Sequence, residues 1–116
     1  MKRDFTDFLE DVLAYSKRAE EIVHATDISK LTAFSMESLA LIRCMEVIGE
    51  AIKKIPDEIK TGYPEGRWRE AAGLRDILIH RYWAANIAIL VDAVEKDLPG
   101  LQRIVEQILK DLNKGN

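Results

Sequence analysis

The chain has 116 residues, 47% hydrophobic and 32% charged, a composition that fits one ordinary globular domain spanning 1–116 and excludes a disordered tail. A chain of this length buries roughly 65% of its unfolded surface, so it needs no disulfide or metal staple, and its one cysteine, Cys44, has no internal partner. With 17 Lys+Arg against 20 Asp+Glu the net charge is -3, which excludes bulk attraction to a polyanion as a source of affinity; any RNA contact must be local.

The opening Met1-Lys2-Arg3-Asp4 has no apolar run after its basic pair, so no signal peptide is expected. Phe5, Phe8, Leu9, Val12, Leu13, Ala19, Ile22 and Val23 then recur at steps of three and four, predicting an amphipathic helix over Asp4–His24. Thr26, Asp27 and Ser29 are cap and turn residues, and predict a bend within Ala25–Ser35. From Met36 to Ile55 the set Leu41, Met45, Ile48, Ile52 and Ile55 runs near a heptad, while Leu39, Ile42, Val47 and Ala51 widen the stripe. That width exceeds the need of a monomer surface helix, and a symmetric homodimer is the preferred use of the excess.

Pro56, Gly62, Pro64 and Gly66 punctuate the next stretch, predicting at most a short helix near Asp57–Lys60 and then a turn. Trp68, Ala71, Ala72, Leu78 and Ile79 predict a helix ending near His80, with Tyr82-Trp83-Ala84-Ala85 as the connection onward. Helical spacing resumes from Asn86 through Leu98, breaks or kinks near Asp97–Gly100, and continues from Leu101 to fraying at Lys114. The longest mostly apolar stretch, Ala84–Val94, is too short to span a bilayer. No strand pattern or repeat appears, so the expectation is an all-α antiparallel bundle of about five helices in a reducing cytoplasm.

Charge and chemistry concentrate in one window. Between Arg67 and Arg81 stand four arginines (Arg67, Arg69, Arg75, Arg81) against Glu70 and Asp76, together with His80, one of two histidines in the chain. Five helical steps rotate a side chain by about 140°, so Arg75 and His80 converge only if the histidine lies in or just past the last turn. Asp76 precedes His80 by four residues, the spacing at which helical side chains meet; such a contact would orient the ring and keep its pKa near working pH.

An imidazole, a guanidinium and a phenol suit cleavage of RNA. One group must take the 2'-hydroxyl proton, another must protonate the leaving 5'-oxygen, and a planar cation stabilises the phosphate charge. One histidine supplies one such role at a time. A two-fold dimer that brings both Arg75–His80 pairs to one cleft would complete the set, with no metal and no cofactor.

Arg75, four residues, His80, one residue and Tyr82 together resemble the R-x4-H-x-Y motif of HepT-like toxins, a branch of the HEPN superfamily of small helical domains. Trp68-Arg69-Glu70-Ala71-Ala72-Gly73-Leu74 before the motif, Val47-Ile48-Gly49-Glu50-Ala51 upstream and Val94-Glu95-Lys96-Asp97-Leu98-Pro99 downstream resemble the same family. The resemblance implies a dimerising bundle with Arg75 and His80 in a composite site for metal-independent endonucleolytic cleavage of RNA, not DNA. It also implies a toxin–antitoxin pair whose minimal nucleotidyltransferase antitoxin adenylylates the motif tyrosine, here Tyr82. Asp76 stands where the family usually has asparagine, and a negative charge there would weaken RNA binding or raise the pKa of His80. The alternative is a non-catalytic helical nucleotide- or protein-binding partner subunit of a nucleotidyltransferase.

Other residues read more plainly. His24 sits at a helix C-terminus, where it complements the dipole. Glu21 and His24 form a Glu-x-x-His step, with Glu46 and Glu50 as further carboxylates, but a metal reading requires all of them to turn inward. Trp68 and Trp83 are expected as core anchors rather than base-stacking platforms, and Cys44 and Met45 as core or dimer packing. Tyr82 is open between a packed ring and an exposed, modifiable hydroxyl. Arg67, Arg69 and Arg81 are surface charges, Arg81 being the one placed to support RNA binding.

Overall fold

The computed structural model describes residues 4–32, 34–69, 71 and 87–114. All regular structure among them is helical: α1 (Phe5–Ala25), a 3-10 turn (Ile28–Lys30), α2 (Met36–Lys54), α3 (Asp57–Gly62), a second 3-10 turn (Pro64–Gly66), α4 (Ile87–Lys96) and α5 (Leu98–Lys114). The all-α expectation holds.

Local chemistry accounts for the boundaries. Asp4 caps α1, accepting from the Thr6 and Asp7 amides while the Asp7 side chain accepts from the Asp4 amide, a reciprocal capping box. His24 lies in the last turn of α1, as expected. Asp27 accepts from the Ser29 amide to start the 3-10 turn, and Ser35 accepts from the Ser38 amide to start α2. The break expected over Asp97–Gly100 is narrower than four residues. Asp97 alone leaves the helical path and α5 begins at Leu98, because Pro99 falls in the first turn, where its missing N–H has no partner to lose.

The core joins Leu9, Val12 and Val23 of α1 to Leu41, Met45, Ile48 and Ile52 of α2, with Val94 of α4 and Leu98, Val105 and Ile108 of α5. α1 packs most extensively on α2 and next on α5. Gln102 of α5, itself buried, donates to Glu20 of α1 at 2.7 Å.

Most of the wide α2 stripe is covered by the chain itself. Cys44, Gly49 and Ala51 are buried beside the heptad set, and their small volume admits close helix approach. What stays open is the start of the helix: Met36 is 83% exposed and Leu39 46%, next to Phe34 at 85%. No helix among the described residues is long and apolar enough to cross a membrane.

Candidate functional site

Every residue that the sequence singles out for chemistry, namely Arg75, Asp76, His80, Arg81 and Tyr82, lies outside the described residues, as does Trp83. The structure describes the approach to that segment.

The approach is tightly built. After α3 the chain turns through Pro64–Gly66, and Arg67 takes a left-handed conformation (φ 49°, ψ 52°) that non-glycine residues rarely adopt. The Ala71 amide donates to the Arg67 carbonyl at 3.0 Å, so helical hydrogen bonding restarts at Trp68. Trp68 is buried, as its size predicts, and its indole N–H is shared between the carbonyls of Tyr63 (2.8 Å) and Lys60 (3.1 Å). Its ring lies against Gly66, where an added Cβ would stand 2.5 Å from Cζ2, so only glycine fits.

Tyr63 closes the turn from the other side. Its hydroxyl donates to Asp111 Oδ2 of α5 at 2.5 Å, and Gln107 donates to Oδ1 of the same carboxylate at 2.7 Å. The two donors hold the Asp111 carboxyl below the ordinary carboxylate range, and the Asp111 acceptor holds the Tyr63 phenol above its ordinary value. Sequence reasoning found Trp68 but missed this bond: its partners lie 48 residues apart and no local pattern pairs them.

The described surface elsewhere collects no excess of positive charge. A cleft of about 170 Å³ is lined by Phe8, Val47 and Ala51 with Asp11 and Glu50 opposing Arg43 and Lys54. In a shallower hollow beside Met36, Arg18 is paired with Glu21 at 3.0 Å. Arg67 and Arg69, flanking Trp68, are exposed as expected. Among the described residues no three of His, Cys, Asp and Glu gather as a metal set, and Glu21 of the Glu-x-x-His step faces Arg18 instead.

Comparison with known proteins gives the same direction. The family described as "Ribonuclease HepT-like" matches residues 12–108. A protein of Methanocaldococcus jannaschii named "Putative RNase MJ0125" is 36% identical over 113 residues, covering 97% of both chains. "Probable ribonuclease HepT" of Thermococcus cleftensis is 36% identical over 110 residues, covering 95% of this chain and 100% of that protein. No solved structure matches. A match running from the middle of α1 into the last turns of α5, with relatives similar along their whole length, makes this chain a member of the HepT-like ribonuclease family of the HEPN superfamily.

Proposed function

We propose that this single-domain chain is a metal-independent endoribonuclease, the toxin of a toxin–antitoxin pair acting in the cytoplasm. The observation that carries the reading is membership of the HepT-like family in a chain that holds Arg75, His80 and Tyr82 at the family's motif spacing. His80 transfers the proton, as base to the 2'-hydroxyl or as acid to the leaving 5'-oxygen, and Arg75 stabilises the charge on the phosphate between them. Asp76 orients the imidazole and Arg81 supports RNA binding.

One histidine serves one proton transfer at a time, so the site is completed by a second copy across a two-fold axis. The uncovered apolar residues Phe34, Met36 and Leu39 support a contact between copies. A cognate minimal nucleotidyltransferase neutralises the toxin by adenylylating Tyr82, which removes the phenol and places a phosphate beside the cleft.

The test is RNA cleavage by the purified protein in EDTA. Cleavage that His80→Ala and Arg75→Ala each abolish is expected; no cleavage, or cleavage that survives both substitutions, overturns the mechanism. Incubation with the nucleotidyltransferase and ATP is expected to add AMP by intact mass, and Tyr82→Phe to prevent it.

A second reading has its own observation: Asp76 replaces the family's usual asparagine with a negative charge. That charge favours a non-catalytic partner subunit that binds the nucleotidyltransferase or a nucleotide. A tight complex containing protein without ribonuclease activity would select it.

A further inference from the structure

Tyr63 makes two kinds of contact at once. Its hydroxyl reaches α5 at Asp111, and its carbonyl takes the indole N–H of Trp68, the residue at which helical bonding restarts toward Arg75 and His80. A continuous chain of polar contacts thus runs from Gln107 and Asp111 through Tyr63 to Trp68.

This turn also carries backbone strain. Arg67 holds φ 49° without being glycine, a conformation that costs on the order of 1–3 kcal/mol and persists only where neighbours over-determine it. The neighbours here are the Trp68 ring packed on Gly66 and its doubly accepted N–H. Burying one indole does not require a left-handed arginine beside it. By contrast, the Ile28–Lys30 turn reverses the chain with Asp27 and Leu31 both in ordinary extended conformations.

We propose that the Tyr63–Trp68 turn, clasped to Asp111 of α5, is a positioning device for the segment bearing Arg75 and His80, with Tyr63, Trp68 and Asp111 as positioning residues. The inference rests on the nuclease reading for its catalytic consequence. Strain at Arg67 and the indole bonds set where the helical path begins, and the bond to Asp111 ties that starting point to the helix most distant in sequence. Loss of the clasp shifts the catalytic pair relative to the phosphate without removing any group that touches it.

Tyr63→Phe deletes only the hydroxyl; Asp111→Asn keeps an acceptor oxygen; Asp111→Ala removes it. Steady-state RNA cleavage and amide hydrogen exchange are measured on all three. Misplacement of a catalytic group by about 1 Å costs up to about 10²-fold, so Tyr63→Phe and Asp111→Ala are expected to lower kcat about tenfold with KM within about twofold. The same two variants are expected to speed exchange over residues 69–86 while leaving the centres of α1 and α2 unchanged, and Asp111→Asn is expected to stay near wild type in both measurements. Unchanged kcat and exchange in Tyr63→Phe, or exchange that rises equally throughout α1 and α2, overturns the proposal. If the wild-type protein cleaves no RNA, the nuclease reading fails by itself, and the exchange measurement still decides whether the clasp holds this segment.

Discussion

Gln102 and Glu20 join the last helix to the first through a 2.7 Å hydrogen bond between residues 82 positions apart. Gln102 is 9% exposed, so its amide sits in the interface between α1 and α5 rather than on the surface. Replacing it with leucine keeps the volume but leaves a partly buried carboxylate without this donor, at a cost of about 1–3 kcal/mol. Glu20→Gln keeps an acceptor oxygen and is expected to lose less. Urea unfolding at fixed protein concentration checks the order; equal midpoints for wild type and Gln102→Leu would contradict it.

Two glycines nearby in sequence give opposite expectations. A Cβ at Gly66 meets the buried Trp68 ring, whereas a Cβ at Gly62 meets nothing within 4 Å. Gly66→Ala therefore forces the indole off its two carbonyls and is expected to destabilise by about 1–3 kcal/mol. Gly62→Ala mainly restricts the unfolded chain and is expected to be neutral or to stabilise by up to about 1 kcal/mol. Thermal unfolding of the two variants side by side, with tryptophan emission reporting the Trp68 environment, separates them.

The helices were legible because their signal is local. Apolar steps of three and four in Phe5–Val23, and the near-heptad Leu41–Ile55, need no knowledge of what they pack on. Asp4, Asp27 and Ser35 mark helix starts through bonds two or three residues away. Leu41 could announce that it is buried, but not that α1 rather than a second copy covers most of its helix. The Tyr63–Asp111 and Glu20–Gln102 bonds were illegible for the same reason: each depends on how helices far apart in sequence settle side by side. Arg67 gave no warning of a left-handed backbone, since the residues that usually announce one are glycine and asparagine. Of the site, Arg75, His80 and Tyr82 were legible as types and spacing, while the clasp on their approach came only from the fold.

The Tyr63–Asp111 bond makes stability depend on pH at both extremes. Asp111 has its carboxyl lowered, so its contribution is present above the ordinary carboxylate pKa of 3.8 and is lost as pH falls through the lower folded value. Tyr63 has its phenol raised, so its contribution is present below the ordinary value of 10.0 and is lost as pH rises through the higher folded value. Between these limits the bond is intact. The difference in melting temperature between wild type and Tyr63→Phe is expected to be flat from about pH 5 to 9 and to shrink on both sides. A difference that grows below pH 4 would contradict the assigned donor and acceptor.

Cys44 is 4% exposed, and burial pushes its thiol up, with the charge of Arg18 pulling the other way as the smaller influence. A buried thiol held in its neutral form is a poor nucleophile. Reaction with a disulfide reagent at pH 8 is expected to be slow in the folded protein and to become fast in urea, tracking the unfolding transition. Rapid modification without unfolding would place the Cys44 side of α2 at the surface instead of in the core.

Asp76 offers the most direct test of how the catalytic reading depends on charge. On that reading a carboxylate beside the scissile phosphate opposes RNA binding, and at a few ångströms in partly solvated surroundings one such repulsion is worth about 1 kcal/mol, or about fivefold in affinity. Asp76→Asn restores the residue usual in the family and retains an oxygen that can orient His80. It is expected to lower KM for RNA about fivefold, and to move the pH–rate limb governed by His80 to lower pH, since a neighbouring anion favours the imidazolium. The salt dependence gives a separate check, because the gain from neutralising Asp76 shrinks as added salt screens the repulsion. An Asp76→Asn variant with unchanged KM, pH profile and salt response would place the carboxylate away from both the phosphate and the imidazole.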